Sequence, residues 1–397
     1  MNPMKVQDIR SDFPILKDGV YLDSASTSLT PEPVLEAVLD YYHSYRANVG
    51  RGIYRLAQMA DQRYSDAHHK LAGFVGAAEG ELIFTRNTTE AINAVARGLD
   101  WKKGDRIVTT LMEHHSNLLP WMRLKKGGIE LSVVKPGPQG RLDPGDFEKA
   151  IDENTRLVAV SHLSNVLGTV LPVKEIARIC RDHGAALLVD GAQAVPHMSV
   201  SVEDIDCDFL CFSGHKMLGP TGTGCLWIRR TEEIEPLLVG GGMVADVHGC
   251  DYDVKKGYEG FEAGTPDIAG AIGLGSAVDY LTRVGMEEIH HHEKQLTGKL
   301  LKGLGEIGGV EIYGPLDLKE RGGVVSFNVR GLMPHEVAMM LDHASNIMVR
   351  SGHHCCIPLM RHLGLKYGTV RASVYLYNTG EEIDQLLAAL EQIARMG

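Results

Sequence analysis

The sequence has no surplus of positive charge: 40 lysines and arginines stand against 51 aspartates and glutamates, a formal net charge of −11. That deficit argues against the concentrated basic surface on which phosphate-backbone binding depends, so no nucleic-acid partner is expected. No apolar run approaches the roughly 18 residues that a membrane-spanning helix requires, and no membrane association is expected. The first residues, Met1 to Asp12, are polar and lack the apolar core of a secretory signal. A cytoplasmic protein is the expectation. Cysteine is scarce: the seven, at positions 180, 207, 211, 225, 250, 355 and 356, are odd in number and irregular in spacing. That pattern argues against a disulfide framework. Cys211 and Cys225 sit in apolar, strand-like stretches and read as small core residues. Repeats, low-complexity tracts and Pro/Ser-rich linkers are also lacking, and 397 residues suffice for two domains with a large core.

From residue 31 onward, helical and strand patterns alternate. A helix is expected over residues 31–45, with Thr30 as N-cap and Pro31 in the first turn. Others are expected over 64–75, 88–98 and 173–183, the last ending at Gly184. Short β-rich runs fall between them at 81–85, 106–110, 130–134, 157–161, around Leu187 and Phe209, and at 224–229. Strands separated by helices indicate an α/β fold with a mostly parallel sheet. Beyond residue 270 the helices are grouped (270–284, 286–304, 334–344, 381–396) and the strands few (310–313, 323–329, 370–375). This points to a smaller α+β domain. The expected division is a large domain over 22–282 and a small domain formed by 1–21 and 283–397.

Chemistry-bearing residues collect where strands end. Ala185 to Gln193 reads as an apolar strand closing in Asp190, and Cys211 to Lys216 as another that breaks at Gly214 and presents a lysine. An acid at one strand end and a lysine at the next, with Ser213 and His215 beside the lysine, is what a pyridoxal phosphate (PLP) enzyme needs. The lysine forms a Schiff base, the acid keeps the pyridine nitrogen protonated, and Ser and His bind phosphate. Thr88 and Thr89 fall where a strand turns into a helix, and two hydroxyls at a helix N-terminus suit a phosphate ester. The other reading of that turn is N-capping, with Glu90 in a capping box. His114 offers an imidazole able to stack on a pyridine ring and exchange protons near neutral pH, or belongs to a surface pair with His115. Asn165 and Gln193 carry amides able to bond a ring hydroxyl or a substrate. In open α/β sheets ligands gather at strand carboxyl ends, and the ends at Thr88, His114, Asn165, Asp190 and Lys216 all carry suitable groups.

A second concentration lies in Arg350-Ser351-Gly352-His353-His354-Cys355-Cys356, read as a loop. Histidines and an arginine beside a thiol favour its thiolate, as a nucleophile requires. Zinc is the rival use of Cys and His, but four consecutive residues do not converge tetrahedrally and no second pair stands at finger spacing. No metal is expected; buried or solvated thiols are the third reading. Arg371, a charge entering an apolar strand, suits bidentate recognition of a carboxylate or an ordinary salt bridge.

Jointly these segments resemble those of a known family. Tyr21-Leu22-Asp23-Ser24-Ala25, Met112-Glu113-His114-His115, Ser164-Asn165-Val166-Leu167-Gly168-Thr169, Asp190-Gly191-Ala192-Gln193, Ser213-Gly214-His215-Lys216, Phe261-Glu262-Ala263-Gly264-Thr265-Pro266 and Arg350 to Cys355 carry the likeness. Nearly the whole chain resembles fold-type I, class V PLP enzymes, most of all the group II (SufS/CsdA-type) cysteine desulfurases. The resemblance implies a seven-stranded, mostly parallel sheet in the large domain and the cysteine loop on the small one. It implies that Lys216 carries PLP, Asp190 pairs with the ring nitrogen, and His114 stacks on the ring and serves as acid/base. Gln193 and Asn165 would surround the ring oxygen and substrate. Thr88, Thr89, Ser213 and His215 would bind the phosphate, with Thr265 reaching in from the other subunit of a homodimer. Arg371 would hold the carboxylate of L-cysteine, and Cys355 would take its sulfur as a persulfide, leaving L-alanine. The sulfur would pass to an acceptor or scaffold protein, with iron–sulfur cluster assembly the expected destination. Three positions depart from the family pattern: Cys356 stands where a small residue is usual, Gly50 (before Arg51) where a bulkier polar residue is expected, and Asn87 where a glycine is expected. Selenocysteine lyase, acting on L-selenocysteine, is the first alternative within the fold; an aminotransferase or kynureninase-like hydrolase, which leaves Cys355 unexplained, is the second. A non-catalytic PLP-fold scaffold or metal-binding protein is the alternative outside it.

Overall fold

The computed structural model describes residues 5–396; residues 1–4 and Gly397, at the outer ends of the small-domain segments named above, lie outside the described residues. Its largest sheet has seven strands: β1 (Glu81–Thr85), β2 (Arg106–Thr110), β3 (Glu130–Val134), β4 (Thr155–Ser161), β5 (Ala186–Asp190), β6 (Phe209–Ser213) and β7 (Gly224–Ile228). Their order is β1-β7-β6-β5-β4-β2-β3. β7 runs antiparallel to both neighbours and every other pairing is parallel, so six strands point the same way. The sheet is the mostly parallel one expected. In β4, Leu157, Val158, Ala159 and Val160 are all fully buried. An unbroken apolar run of this kind belongs to a strand covered by helices on both faces. β7 reverses direction because the ten residues 214–223 that link it to β6 are too few for the crossover that a parallel link needs.

A second, four-stranded sheet comprises β8 (Val310–Tyr313), β9 (Val324–Val329), β10 (Arg350–Gly352) and β11 (Thr369–Ser373). It is antiparallel throughout, in the order β8-β9-β11-β10. Helices Met286–Glu306, Pro334–Ser345 and Gly380–Ala394 supply Leu300, Leu341 and Leu386 to a separate apolar cluster with Phe327 of β9. The N-terminal segment touches both regions: Val20–Tyr21 pairs with Ile347–Met348, while the Phe13 ring packs at 6.1 Å from Tyr280 and 5.0 Å from Tyr377.

Several local expectations change. The helix expected over 31–45 is Glu32–Ser44, capped by Pro31 with no side-chain bond, so Thr30 does not cap it. The helix expected from residue 64 begins at Arg55. The Arg350 segment, read as a loop, opens as strand β10, whose Arg350 pairs with Arg371 of β11. A two-stranded ribbon, Val244–His248 with Asp251–Val254, was not anticipated. Both of its faces are largely exposed, so its sequence carries no apolar alternation.

Candidate active site

The five strand ends converge on one cavity. Thr88, His114, Asn165, Asp190 and Lys216 all line it, together with Thr89, Gln193, Ser213, His215, Arg350, His354 and Arg371. Asp190 is the last residue of β5 and is buried; its Oδ1 accepts the Ala192 N–H at 3.0 Å. Burial raises its pKa, opposed by that bond and by the charge of Lys216. Lys216 ends the tight turn Gly214–Lys216 that follows β6. Gly214 is required there, because a Cβ would meet Thr223 Oγ1 at 2.1 Å. Burial pushes the Lys216 amine down to about 8; Arg371 and Arg350 add to the effect, against Asp190 and Cys355. A lysine so shifted has far more free amine at neutral pH than an exposed one, as a Schiff-base nucleophile needs.

The turn before helix Thr88–Gly98 is capped by Asn87, whose Oδ1 accepts the Glu90 N–H at 3.0 Å. Asn87 has an extended backbone with φ −179°, so nothing about this turn requires glycine. The capping role thereby passes from the threonines to Asn87. Thr88 bonds Ser213 Oγ through both its N–H (2.9 Å) and its hydroxyl (2.7 Å). Thr89 Oγ1 bonds Ser116 Oγ at 2.7 Å, and the Ser116 N–H donates to His114 Nδ1 at 3.1 Å. With Nδ1 accepting, the ring hydrogen of neutral His114 sits on Nε2. Burial, then the charge of Lys216, push His114 down to about 3. It is therefore neutral and does not titrate near neutral pH as expected; what it offers the cavity is the Nε2–H.

Asn165 is held by a strap of four consecutive carbonyls, each accepting a donor from the smaller sheet or its approach. Asn165 O accepts from Arg371 Nη1 (2.9 Å) and Val166 O from Ser326 Oγ (2.6 Å). Leu167 O accepts from Arg321 Nη2 (2.8 Å) and Gly168 O from the Gly322 N–H (2.9 Å). Arg371 also bonds Asp23 Oδ1 and Ser26 Oγ, each at 2.8 Å, so it makes the salt bridge of the plainer reading while lining the cavity. Arg350 Nη1 reaches the same Ser26 Oγ at 2.7 Å, and its Nη2 lies 4.0 Å from Cys355 Sγ.

His354 and Cys355 have φ of 49° and 56°. Two successive non-glycine residues in the left-handed region cost about 1–2 kcal/mol each. Three bonds hold them there: Cys355 O accepts the His115 N–H (2.8 Å), His354 O accepts Asn165 Nδ2 (2.8 Å), and the Cys356 N–H donates to His353 O (2.9 Å). The two adjacent thiols end in opposite surroundings. Cys355 is partly exposed, whereas Cys356 is wholly buried and pushed up to about 12 by burial, then by Glu113.

Of the expected site residues, Cys355 is not among those lining this cavity, although its neighbours Arg350 and His354 are, and Thr265 does not join it either. Thr265 is exposed and lines a separate depression with Arg51, Tyr64 and Glu262. Ser26, Ser116, Arg321 and Ser326 were missed in the sequence, where each is a common residue type without a motif of its own. Among the described residues no three His, Cys, Asp or Glu side chains gather as a metal site. His290 and His292 instead bond the carbonyls of His197 and Asn378.

Residues 20–386 match the aminotransferase class-V family, a span that includes every residue lining the cavity. The chain is 50% identical, over 99% of both lengths, to a probable cysteine desulfurase of Methanothermobacter thermautotrophicus. This chain belongs to the cysteine desulfurases of the aminotransferase class-V family. Solved structures agree with that membership. The apo cysteine desulfurase of Thermococcus onnurineus matches with a TM-score of 0.96 at 47% identity, and the cysteine desulfurase CsdA of Escherichia coli with 0.92 at 32%, both chains fully covered in each case. The cysteine desulfurases are PLP-dependent, and the cavity fits such a cofactor. Gln193 Oε1, His354 Nδ1 and Arg371 Nε are buried there without partners. The hydroxyls of Thr88 and Ser213 lie at a helix N-terminus, where an anion is favoured. Among the described residues of this cysteine desulfurase no helix is long and apolar enough to cross a membrane.

Proposed function

We propose that this chain takes sulfur from L-cysteine, releases L-alanine, holds the sulfur as a persulfide on Cys355 and passes it to an acceptor protein, with iron–sulfur cluster assembly as the destination. The observation that carries the reading is the anchoring of Cys355 between two cavity-lining segments. His115 holds its carbonyl, Asn165 holds that of His354, and Arg350 stands beside the sulfur. PLP, which Lys216 would hold, would supply an electron sink that loosens bonds in the bound amino acid. Asp190 would face its ring nitrogen, His114 its ring, Gln193 and Asn165 its ring oxygen, and Thr88, Thr89, Ser213 and His215 its phosphate. A second copy of the chain would supply Thr265 in a homodimer. The assigned units are a large domain over 22–282 and a small one over 1–21 and 283–397, in a cytoplasmic enzyme.

The chain's own residues then divide the work. Arg371 receives the substrate carboxylate, and its unpartnered Nε–H is a donor still available for it. Lys216, with a pKa of about 8, takes and returns protons at the substrate carbon. The Cys355 thiolate attacks the substrate sulfur, so an S–S bond forms as the C–S bond breaks. The carbon keeps the electron pair, takes a proton and becomes the methyl group of alanine. Arg350 Nη2 stands 4.0 Å from the Cys355 sulfur, and His114 offers its Nε2–H on the leaving side.

Alanine and sulfide release from L-cysteine, with and without an acceptor thiol, tests the proposal. Slow alanine formation by the holoenzyme, stimulated by the acceptor and lost in Cys355→Ala, is expected. Alanine formation by Cys355→Ala at the parent rate contradicts it.

A further inference from the structure

Two short helices begin at the proposed sulfur carrier. Leu119–Leu124 follows the turn His115–Asn117, and Ile357–His362 follows Cys356. Their starts are joined at the thiol: the His115 N–H donates to Cys355 O at 2.8 Å, and the Ile357 N–H to His115 Nε2 at 3.2 Å. Residues 114–128 contain Arg123, Lys125 and Lys126 and no acid; residues 353–368 contain Arg361 and Lys366 and no acid. All five cations are exposed. Among the described residues none of them forms an ion pair with a carboxylate. In a chain where acids outnumber bases 51 to 40, this local balance is inverted at the one partly exposed thiol beside the cavity. Within the same two segments Leu119, Met122 and Ile357 are exposed at 54%, 43% and 37%. Exposed apolar side chains with unpaired charges in the same segments are a usual make-up of a protein-binding face.

We propose that this face docks a protein sulfur acceptor that presents its thiol from an acidic surface. The proposal rests on Cys355 as the carrier. The acceptor's thiolate attacks the outer sulfur of the Cys355 persulfide, the S–S bond breaks, and Cys355 leaves as a thiolate. The acceptor becomes the persulfide, and no oxidant or reductant is consumed. Positive charge at the mouth draws in the incoming thiolate and its acidic surround and steadies the departing one. Exposed charges act over about 8 Å at physiological ionic strength, so the attraction weakens with salt.

The test uses persulfidated holoenzyme and two synthetic peptides of equal length, each with a single cysteine, one flanked by glutamates and one by lysines. At low salt the acidic peptide should take sulfur about tenfold faster, the scale of electrostatic steering, and the advantage should vanish at high salt. Arg361→Glu with Lys366→Glu, and separately Arg123→Glu with Lys126→Glu, should each erase the preference. In both variants dithiothreitol-driven alanine release should match the parent enzyme. Equal rates for the two peptides, or competition by polyuridylate stronger than by polyglutamate, overturn the acidic protein partner. A holoenzyme that forms alanine without any persulfide on Cys355 overturns the underlying carrier reading instead.

Discussion

Asn165 Nδ2 donates to the carbonyl oxygen of His354 at 2.8 Å, a buried bond between residues 189 apart in sequence. It joins the loop after β4 to the residue preceding the proposed sulfur carrier. Because Arg371 holds the carbonyl of the same Asn165, this one residue meets both the proposed carboxylate-binding and the proposed sulfur-accepting sides of the site.

Weakening the strap beneath Asn165 should therefore impair catalysis from a distance. Ser326→Ala removes the donor to Val166 O without altering any group in the cavity. It leaves a buried carbonyl unsatisfied, a cost of about 1–3 kcal/mol. The expected result is a lower denaturation midpoint and a severalfold fall in kcat/KM for L-cysteine, with the same PLP content. An unchanged kcat/KM would mean that the strap is structural only.

The two neighbouring cysteines should behave oppositely. Cys356→Ala should keep persulfide formation and activity within about twofold, because that thiol is buried and protonated, and should cost about 1 kcal/mol for the small cavity. Cys355→Ala should keep PLP absorbance and lose the persulfide. Mass spectrometry of the trapped peptide separates the two positions.

Lys216 makes the pH dependence of cofactor capture predictable. Its pKa is lowered from 10.5 to about 8, so the free amine predominates above about pH 8. PLP uptake by the apoenzyme, followed by absorbance, should rise with pH through about 8 and level off well before 10.5. The same shift carries a stability sign. The buried ammonium is disfavoured in the apo fold below about pH 8, and that penalty fades as pH rises toward 10.5. Lys216→Ala should lose the absorbance of lysine-bound PLP at every pH and remove this contribution to the slope of stability with pH.

Arg350 should set the reactivity of Cys355. With Nη2 at 4.0 Å from Sγ, Arg350→Met removes the guanidinium beside the sulfur and should slow alkylation of Cys355 by iodoacetamide several-fold. Arg350→Lys should restore part of the rate. Identical rates in all three proteins would remove Arg350 from the account.

Much of this site was legible because parallel strands buried on both faces write themselves as apolar runs, and Asp190 and Lys216 stand where those runs stop. Thr88, His114 and Asn165 were found by the same logic. What escaped was set by partners distant in sequence. Arg350 is a strand residue only because Arg371 lies opposite it, and Ser26 matters only because two guanidiniums meet on its hydroxyl. The assignment of Asn87 failed on a local point: its side chain serves as the cap, while its backbone stays extended. The titration expected of His114 failed on burial, which no linear pattern records.

The most direct measurement follows a labelled sulfur atom. Holoenzyme is mixed with one equivalent of isotopically labelled L-cysteine, quenched and digested, and the label is located by mass spectrometry while alanine is counted. The account predicts label on Cys355 in step with alanine and none on Cys356. Alanine formed with Cys355 unlabelled would contradict it.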